Sequence, residues 1–298
     1  MSGFGVEVRD LTARYDTTVA LDAVSFTIRP GVITGLLGRN GSGKTTALSV
    51  LAAFRRATSG TVLVDGEDPW ENERVLSGTC LVRESGDVAL DQKLKETLDF
   101  LGDRRPLFSR ELADTLMDRF ELDPLTKPNK LSRGKRSAFG VVVGLASRTP
   151  LTLLDEVHLG MDAPSRYAFY DALLTDWLEH PRTIVLSSHL IGEVERLLED
   201  VVVLDRGTVL TASDAETLRS GGVTVTGPAE AVEAFVVGRQ VVARQQLGRT
   251  AQATLVGARD DDASRARQHG LELGPVALQD LFVHLTDRPV PAIPEESR

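Results

Sequence analysis

The segment Gly38-Arg39-Asn40-Gly41-Ser42-Gly43-Lys44-Thr45 constrains this chain more than any other stretch. It fits the phosphate-cradling pattern G-x-x-x-x-G-K-[ST] in the setting that gives the pattern meaning. Residues 32–37 before it are short and apolar enough for a buried strand, and residues 46–52 after it have the apolar spacing of a helix. A strand, a glycine loop and a helix N-terminus together make an anion site, because successive backbone N–H groups point inward and the helix dipole favours negative charge. Lys44 is placed to reach the β- and γ-phosphates of a nucleotide, the Thr45 hydroxyl to hold Mg²⁺, and Thr46 to follow in the first helical turn.

At 298 residues the chain has room for one large or two medium domains. Its net charge of −9 gives no basic footprint for nucleic acid, so the positive field an ATP needs must be concentrated locally, at the glycine loop and Mg²⁺. Cys80 is the only cysteine, which excludes an intrachain disulfide, and its apolar surroundings suit an inert core thiol. No apolar run approaches the ~18 residues of a membrane span. The first residues lack the basic and apolar regions of a signal peptide. The expectation is a cytosolic protein that meets a membrane only through a partner.

Alternation in residues 4–10, 24–28 and 61–65 predicts strands flanking the loop, an antiparallel layer beside a parallel core. From about Leu90 to Ser147 the pattern turns helical, with Leu94, Leu98 and Leu101, then Leu112, Leu116 and Phe120, at helical spacing. Strands return at residues 151–154, 183–187 and 201–204, separated by helical segments at 164–179 and 190–198. That alternation predicts a parallel sheet with crossover helices. Gly221-Gly222 marks a boundary, after which short strands and helices predict a small α+β module over residues 222–286. The proline-rich residues 287–298 are expected to form a flexible tail.

A glycine loop alone does not tell one nucleotide enzyme from another. The strand Leu151-Thr152-Leu153-Leu154 ends in Asp155-Glu156. Delivered beside the loop, Asp155 supplies an acidic partner for Mg²⁺. Glu156, pointing elsewhere, can act as general base on the attacking water.

The segment Leu131-Ser132-Arg133-Gly134-Lys135, just ahead of an apolar helix, is similar to the signature motif of ABC transporters. Residues 4–212 resemble the ATP-binding subunits of that family. The resemblance implies a P-loop α/β ATPase over residues 1–213, with an antiparallel β-subdomain and a helical subdomain at about 87–150. It implies that Ser132 and Gly134 of one subunit contact the ATP of a second subunit, in a homo- or heterodimer. It further implies that His189 contacts the γ-phosphate, that Asp162 crosses the dimer interface, and that Tyr15 stacks on adenine. Glu84 stands where the family usually has Gln, and is expected to contact nucleotide and metal-bound water, with Gln92 a weaker substitute. Arg133 and Lys135 also depart from the family's Leu-Ser-Gly-Gly-Gln. His158 is read as structural.

The function so implied is a transport-coupled ATPase, ATP and Mg²⁺ its cofactors, driving a separate membrane permease and resembling multidrug and antibiotic exporter subunits. The alternative is a soluble ABC ATPase with a mechanochemical or regulatory role.

Overall fold

Two kinds of strand build the first part of the chain, and burial tells them apart. β1 (Val6–Tyr15) and β2 (Thr18–Ile28) largely alternate buried and exposed residues, as strands with one wet face do. β3 (Ile33–Gly38) is buried at every position. α1 (Lys44–Leu51) leaves the glycine loop, and β4 (Ser59–Val64) returns to pair antiparallel with β1, giving a three-stranded sheet in the order β2-β1-β4. A short helix, α2 (Glu73–Ser77), leads into β5 (Thr79–Arg83), which carries the buried Cys80.

The helical stretch follows as α3 (Leu94–Arg104), α4 (Arg110–Arg119), a 3₁₀ turn at Pro128–Lys130, and α5 (Arg133–Ala146). Its apolar stripes are buried, with Leu94 and Leu98 from α3 and Ala113, Leu116 and Met117 from α4. β6 (Leu151–Asp155), α6 (Ala163–Glu179), β7 (Thr183–Ser188), α7 (Ile191–Val194), β8 (Asp200–Asp205) and β9 (Thr208–Asp214) complete this part. A six-stranded sheet runs β5-β6-β7-β3-β8-β9, and β6, β7 and β8 are as fully buried as β3. Continuous burial on both faces is what a parallel sheet clothed by helices requires.

The structure, a computed structural model, describes residues 3–84, 88–259 and 261–286. It divides into two units, Met1–Ser213 and Asp214–Arg298. The second unit contains α8 (Ala215–Ser220), β10 (Gly222–Pro228), α9 (Ala229–Val236), β11 (Val241–Leu247), β12 (Thr250–Val256), α10 (Asp262–Gln268), β13 (Glu272–Gly274) and α11 (Leu278–Thr286). Its sheet runs β11-β12-β10-β13, and Val232, Phe235 and Val236 of α9 join a separate core with Val225, Ala253 and Leu255. The expected tail, residues 287–298, lies outside the described residues.

The structure extends the sequence reading in three places. β2 begins at Thr18, well before the alternation of residues 24–28. Its first half escapes a periodicity search because register shifts against β1 and the positive φ of Ala23 break the pattern. α2 is only five residues long, too short for a periodic signal, and is started by Asn72, whose side chain accepts from the Val75 N–H at 3.2 Å. Residues 190–198 form α7 followed by a 3₁₀ turn, not one continuous helix.

Candidate active site

Parallel register brings the site together. Asp155 of β6 pairs with Arg83 of β5 on one side and Ser187 of β7 on the other. Leu37 of β3 pairs with Ser188, and Gly38 with Leu204. The carboxyl ends of four neighbouring strands therefore finish level. The loops leaving them carry Glu84, Glu156, His189 and the glycine loop, at the edge where open α/β sheets bind ligands.

The loop is built for an anion. Gly43, the N-cap of α1, has φ of +106°, and a Cβ there would lie 2.6 Å from Leu21 and 2.7 Å from the Ala20 carbonyl. Only glycine meets both demands. No side chain caps α1, so its first N–H groups are left for a ligand. Ser42 contributes a buried hydroxyl without a partner among the described residues. Arg39, Asn40, Gly41 and Thr45 are exposed around it. Lys44 is 5% exposed; its Nζ donates to the carbonyls of Gly38 (2.7 Å) and Arg39 (3.2 Å) and pairs with Glu156 Oε1 at 3.1 Å. Tyr15 lies beside the same helix, its hydroxyl accepting from Thr46 Oγ1 at 3.4 Å and its ring carrying the Arg55 guanidinium 3.6 Å above it.

The two carboxylates are held differently. Asp155 is buried and accepts from Ser187 Oγ at 2.5 Å. Glu156 sits at φ of +52°, a left-handed conformation that strains a residue with a side chain. Its backbone N–H is pinned by the Ser187 hydroxyl (3.2 Å) and carbonyl (3.3 Å). Its carboxylate meets Lys44, His189 Nδ1 (3.0 Å) and, at 3.5 Å, the ring of His158. Burial pushes the His158 imidazole down from its ordinary 6.5 to about 4, helped by the charges of His189, Arg166 and Lys44. That ring is neutral, and Glu156 has an ammonium and two imidazoles around it.

Residues 21–158 match the family model described as ABC transporter. The chain is 31% identical over 214 residues to the ABC transporter ATP-binding protein YtrB of Bacillus subtilis, covering 72% of this chain and 73% of that one. The chain belongs to the ATP-binding proteins of ABC transporters. It is also 30% identical over 213 residues to the doxorubicin resistance ATP-binding protein DrrA of Mycobacterium tuberculosis, covering 67% and 62% of the two chains. The fold matches a solved ATP-binding subunit of an ABC transporter (TM-score 0.64, 23% identity, 72% and 92% covered). It also matches an ATP-binding cassette solved as a post-hydrolysis dimer with ADP and phosphate (TM-score 0.62, 22% identity, 70% and 98% covered).

In this ABC ATPase the signature residues form a second group. Ser132 is the N-cap of α5, its hydroxyl accepting from the Lys135 N–H at 3.3 Å. Gly134 packs so closely that a Cβ would lie 2.4 Å from the Gly160 carbonyl. Asp162 caps α6 by accepting from the Ser165 N–H at 2.9 Å, and Ser165 holds its carboxyl below the usual range. Ser132, Gly134, Lys135 and Asp162 line one cavity of about 380 Å³.

Glu84 belongs to this second group as much as to the first. Its carboxylate is paired with the Arg133 guanidinium, and its carbonyl accepts from Ser137 Oγ at 2.7 Å. Two departures from the family pattern are thus in contact with one another. Gln92 is exposed. Ser187 and His158 carry site contacts that their own sequence does not announce. Ser187 is recognisable only through its register with Asp155, and His158 only by lying two residues beyond Glu156 in the same loop.

Proposed function

We propose that this chain is the motor subunit of an exporter whose permease is a separate polypeptide, powered by ATP-dependent pairing of two such subunits. The observation that carries the reading is the Glu156 carboxylate, held at 3.1 Å from Lys44 Nζ and 3.0 Å from His189 Nδ1 at the head of the glycine loop. General base, phosphate-binding cation and γ-phosphate contact are thereby gathered in one site by the chain's own residues.

On ATP binding, Lys44 exchanges Glu156 and its carbonyl acceptors for the β- and γ-phosphates, and the α1 N–H groups take the remaining oxygens. His189 turns to the γ-phosphate. Glu156 accepts a proton from the water attacking phosphorus as the bond to the β-phosphate oxygen breaks. The oxygen donors here fit a hard cation: the exposed Thr45 hydroxyl, the buried Asp155 carboxylate, and Glu84 once released from Arg133. When bound, Mg²⁺ would neutralise developing phosphate charge.

Ser132 and Gly134 of one subunit would cap the γ-phosphate held by the other, with Asp162 across the seam. The exposed turn at the start of α5 supports this, since it offers a helix N-terminus to an anion from outside. Among the described residues no helix is long and apolar enough to cross a membrane. A separate permease and a peripheral position on the membrane's cytoplasmic face are supported by the likeness to ATP-binding proteins of ABC transporters. Export as the direction is supported by relatives named for doxorubicin resistance and Nod factor export. Residues 1–213 would be the motor, with its helical subdomain at about 87–150, and residues 222–286 an accessory domain.

The test is ATP turnover by the wild type and Glu156→Gln, with dimer formation followed by size exclusion. The expected result is turnover in the wild type, and in the variant near-total loss with an ATP-stabilised dimer. A variant that hydrolyses at the wild-type rate overturns the general base. Recovery of a membrane protein on affinity purification from the native host tests the permease.

A further inference from the structure

Three nitrogen-bearing side chains surround the Glu156 carboxylate, and the reading proposed above, on which this inference rests, sends two of them elsewhere during turnover. Lys44 and His189 both move to phosphate. The third is His158, whose Nε2 lies 3.5 Å from Glu156 Oε2 and 3.2 Å from Ser188 Oγ. Its side chain is fully buried, so it cannot follow the others to the nucleotide. Ser188 is anchored in turn, its hydroxyl accepting from the Leu190 N–H at 2.9 Å.

We infer that His158 is a positioning residue for the hydrolytic step, holding the Glu156 carboxylate in place after Lys44 and His189 have been taken up by the phosphates. Glu156 needs such a hold. Its left-handed backbone is strained, and a strained residue keeps its conformation only when its surroundings over-determine it. With the nucleotide bound, the backbone links to Ser187 and to the Leu159 N–H remain, and the ring of His158 is the side chain left beside its carboxylate.

The chemistry of the ring suits the task. His158 Nδ1 has no hydrogen-bond partner among the described residues, so the tautomer is decided at Nε2. With the proton on Nε2, the N–H dipole faces the Ser188 oxygen and the carboxylate; with it on Nδ1, a lone pair would face an anion. The first arrangement is favoured on Coulombic grounds. Burial keeps the ring neutral, and a neutral donor orients the carboxylate without suppressing its basicity as a cation would.

Two substitutions in the full chain test this. His158→Leu fills a similar volume without an N–H, whereas His158→Gln returns an N–H at nearly the ring's reach. Steady-state hydrolysis gives kcat and KM, and titration with a non-hydrolysable ATP analogue gives affinity. His158→Leu is expected to lose about tenfold or more in kcat while KM and analogue affinity stay within about threefold, the pattern of a lost transition-state arrangement. His158→Gln is expected to recover most of the rate. Wild-type kcat in His158→Leu, or an equal loss in His158→Gln, overturns the inference. If His158→Leu does not fold, His158→Asn, whose amide stops short of Ser188, replaces it: the same loss in kcat is expected, and a wild-type kcat overturns the inference. A wild type that binds the analogue and never hydrolyses ATP overturns the ATPase mechanism, and this inference with it. An active wild type with an indifferent His158→Leu overturns this inference alone.

Discussion

The glycine-loop group and the signature group are opposite in physical character. Lys44, Asp155, Glu156 and His158 are all buried, and each is held by partners from at least one other loop or strand. Ser132, Arg133 and Lys135 are exposed, and Arg133 has 72% of its side chain open to solvent. Buried charges persist only when paired, whereas an exposed turn can wait for its ligand at little cost. The buried group therefore looks complete within one chain, and the exposed group looks outward.

The largest effect should fall on the buried side. Glu156→Gln should lower kcat by about 10²- to 10⁴-fold, the range for losing a general base, with nucleotide affinity preserved; stopped turnover with intact binding is the signature to measure. A smaller loss would erase the contrast between the groups.

Next is acid sensitivity. His158 takes a proton near pH 6.5 when unfolded but only near pH 4 when folded, because burial first, and then the charges of His189, Arg166 and Lys44, oppose its charge. The unfolded chain thus binds more protons between those values, and stability should fall as pH drops from about 6.5 to about 4. The contribution is about 3 kcal/mol, read by denaturant titration across that window and absent in His158→Leu. A pH-independent difference between the two proteins would mean that the ring is not buried as described.

On the exposed side, Gly134→Ala forces a methyl against the Gly160 carbonyl, an overpacking worth about 1–3 kcal/mol. Hydrolysis should fall by about tenfold for 1.4 kcal/mol lost at the signature turn, while binding of nucleotide to a single subunit stays intact. Loss of that binding would show that the two groups are not separable. Smallest of all, Arg133→Ala removes an exposed ion pair with Glu84 and should change unfolding free energy by no more than about 1 kcal/mol. A larger change would make Arg133 a structural fastener between the groups.

Glycines and apolar runs made the ATP-binding unit legible in the chain. Gly43 is needed for a φ that other residues resist, and the apolar runs before Gly38 and Asp155 are short enough for the strands, buried at every position, that they form. Contacts that depend on register were not legible. Nothing local to Ser187 says that it will donate to Asp155, and nothing local to Arg133 says that it will meet Glu84. β2 was half-hidden for a related reason, because bulges interrupt the alternation that marks a strand.

The amino-acid order by itself settled the family and marked the glycine loop and the carboxylate pair as candidates, because each is written in consecutive residues whose backbone demands are local. Tertiary structure alone decided which side chains surround Glu156, since Lys44 comes from the first turn of α1, His189 from the loop after β7, and His158 from the turn that follows Glu156 itself. Parallel pairing of β6, β7 and β3 aligns the loop ends, and burial then leaves His158 a neutral ring facing a carboxylate.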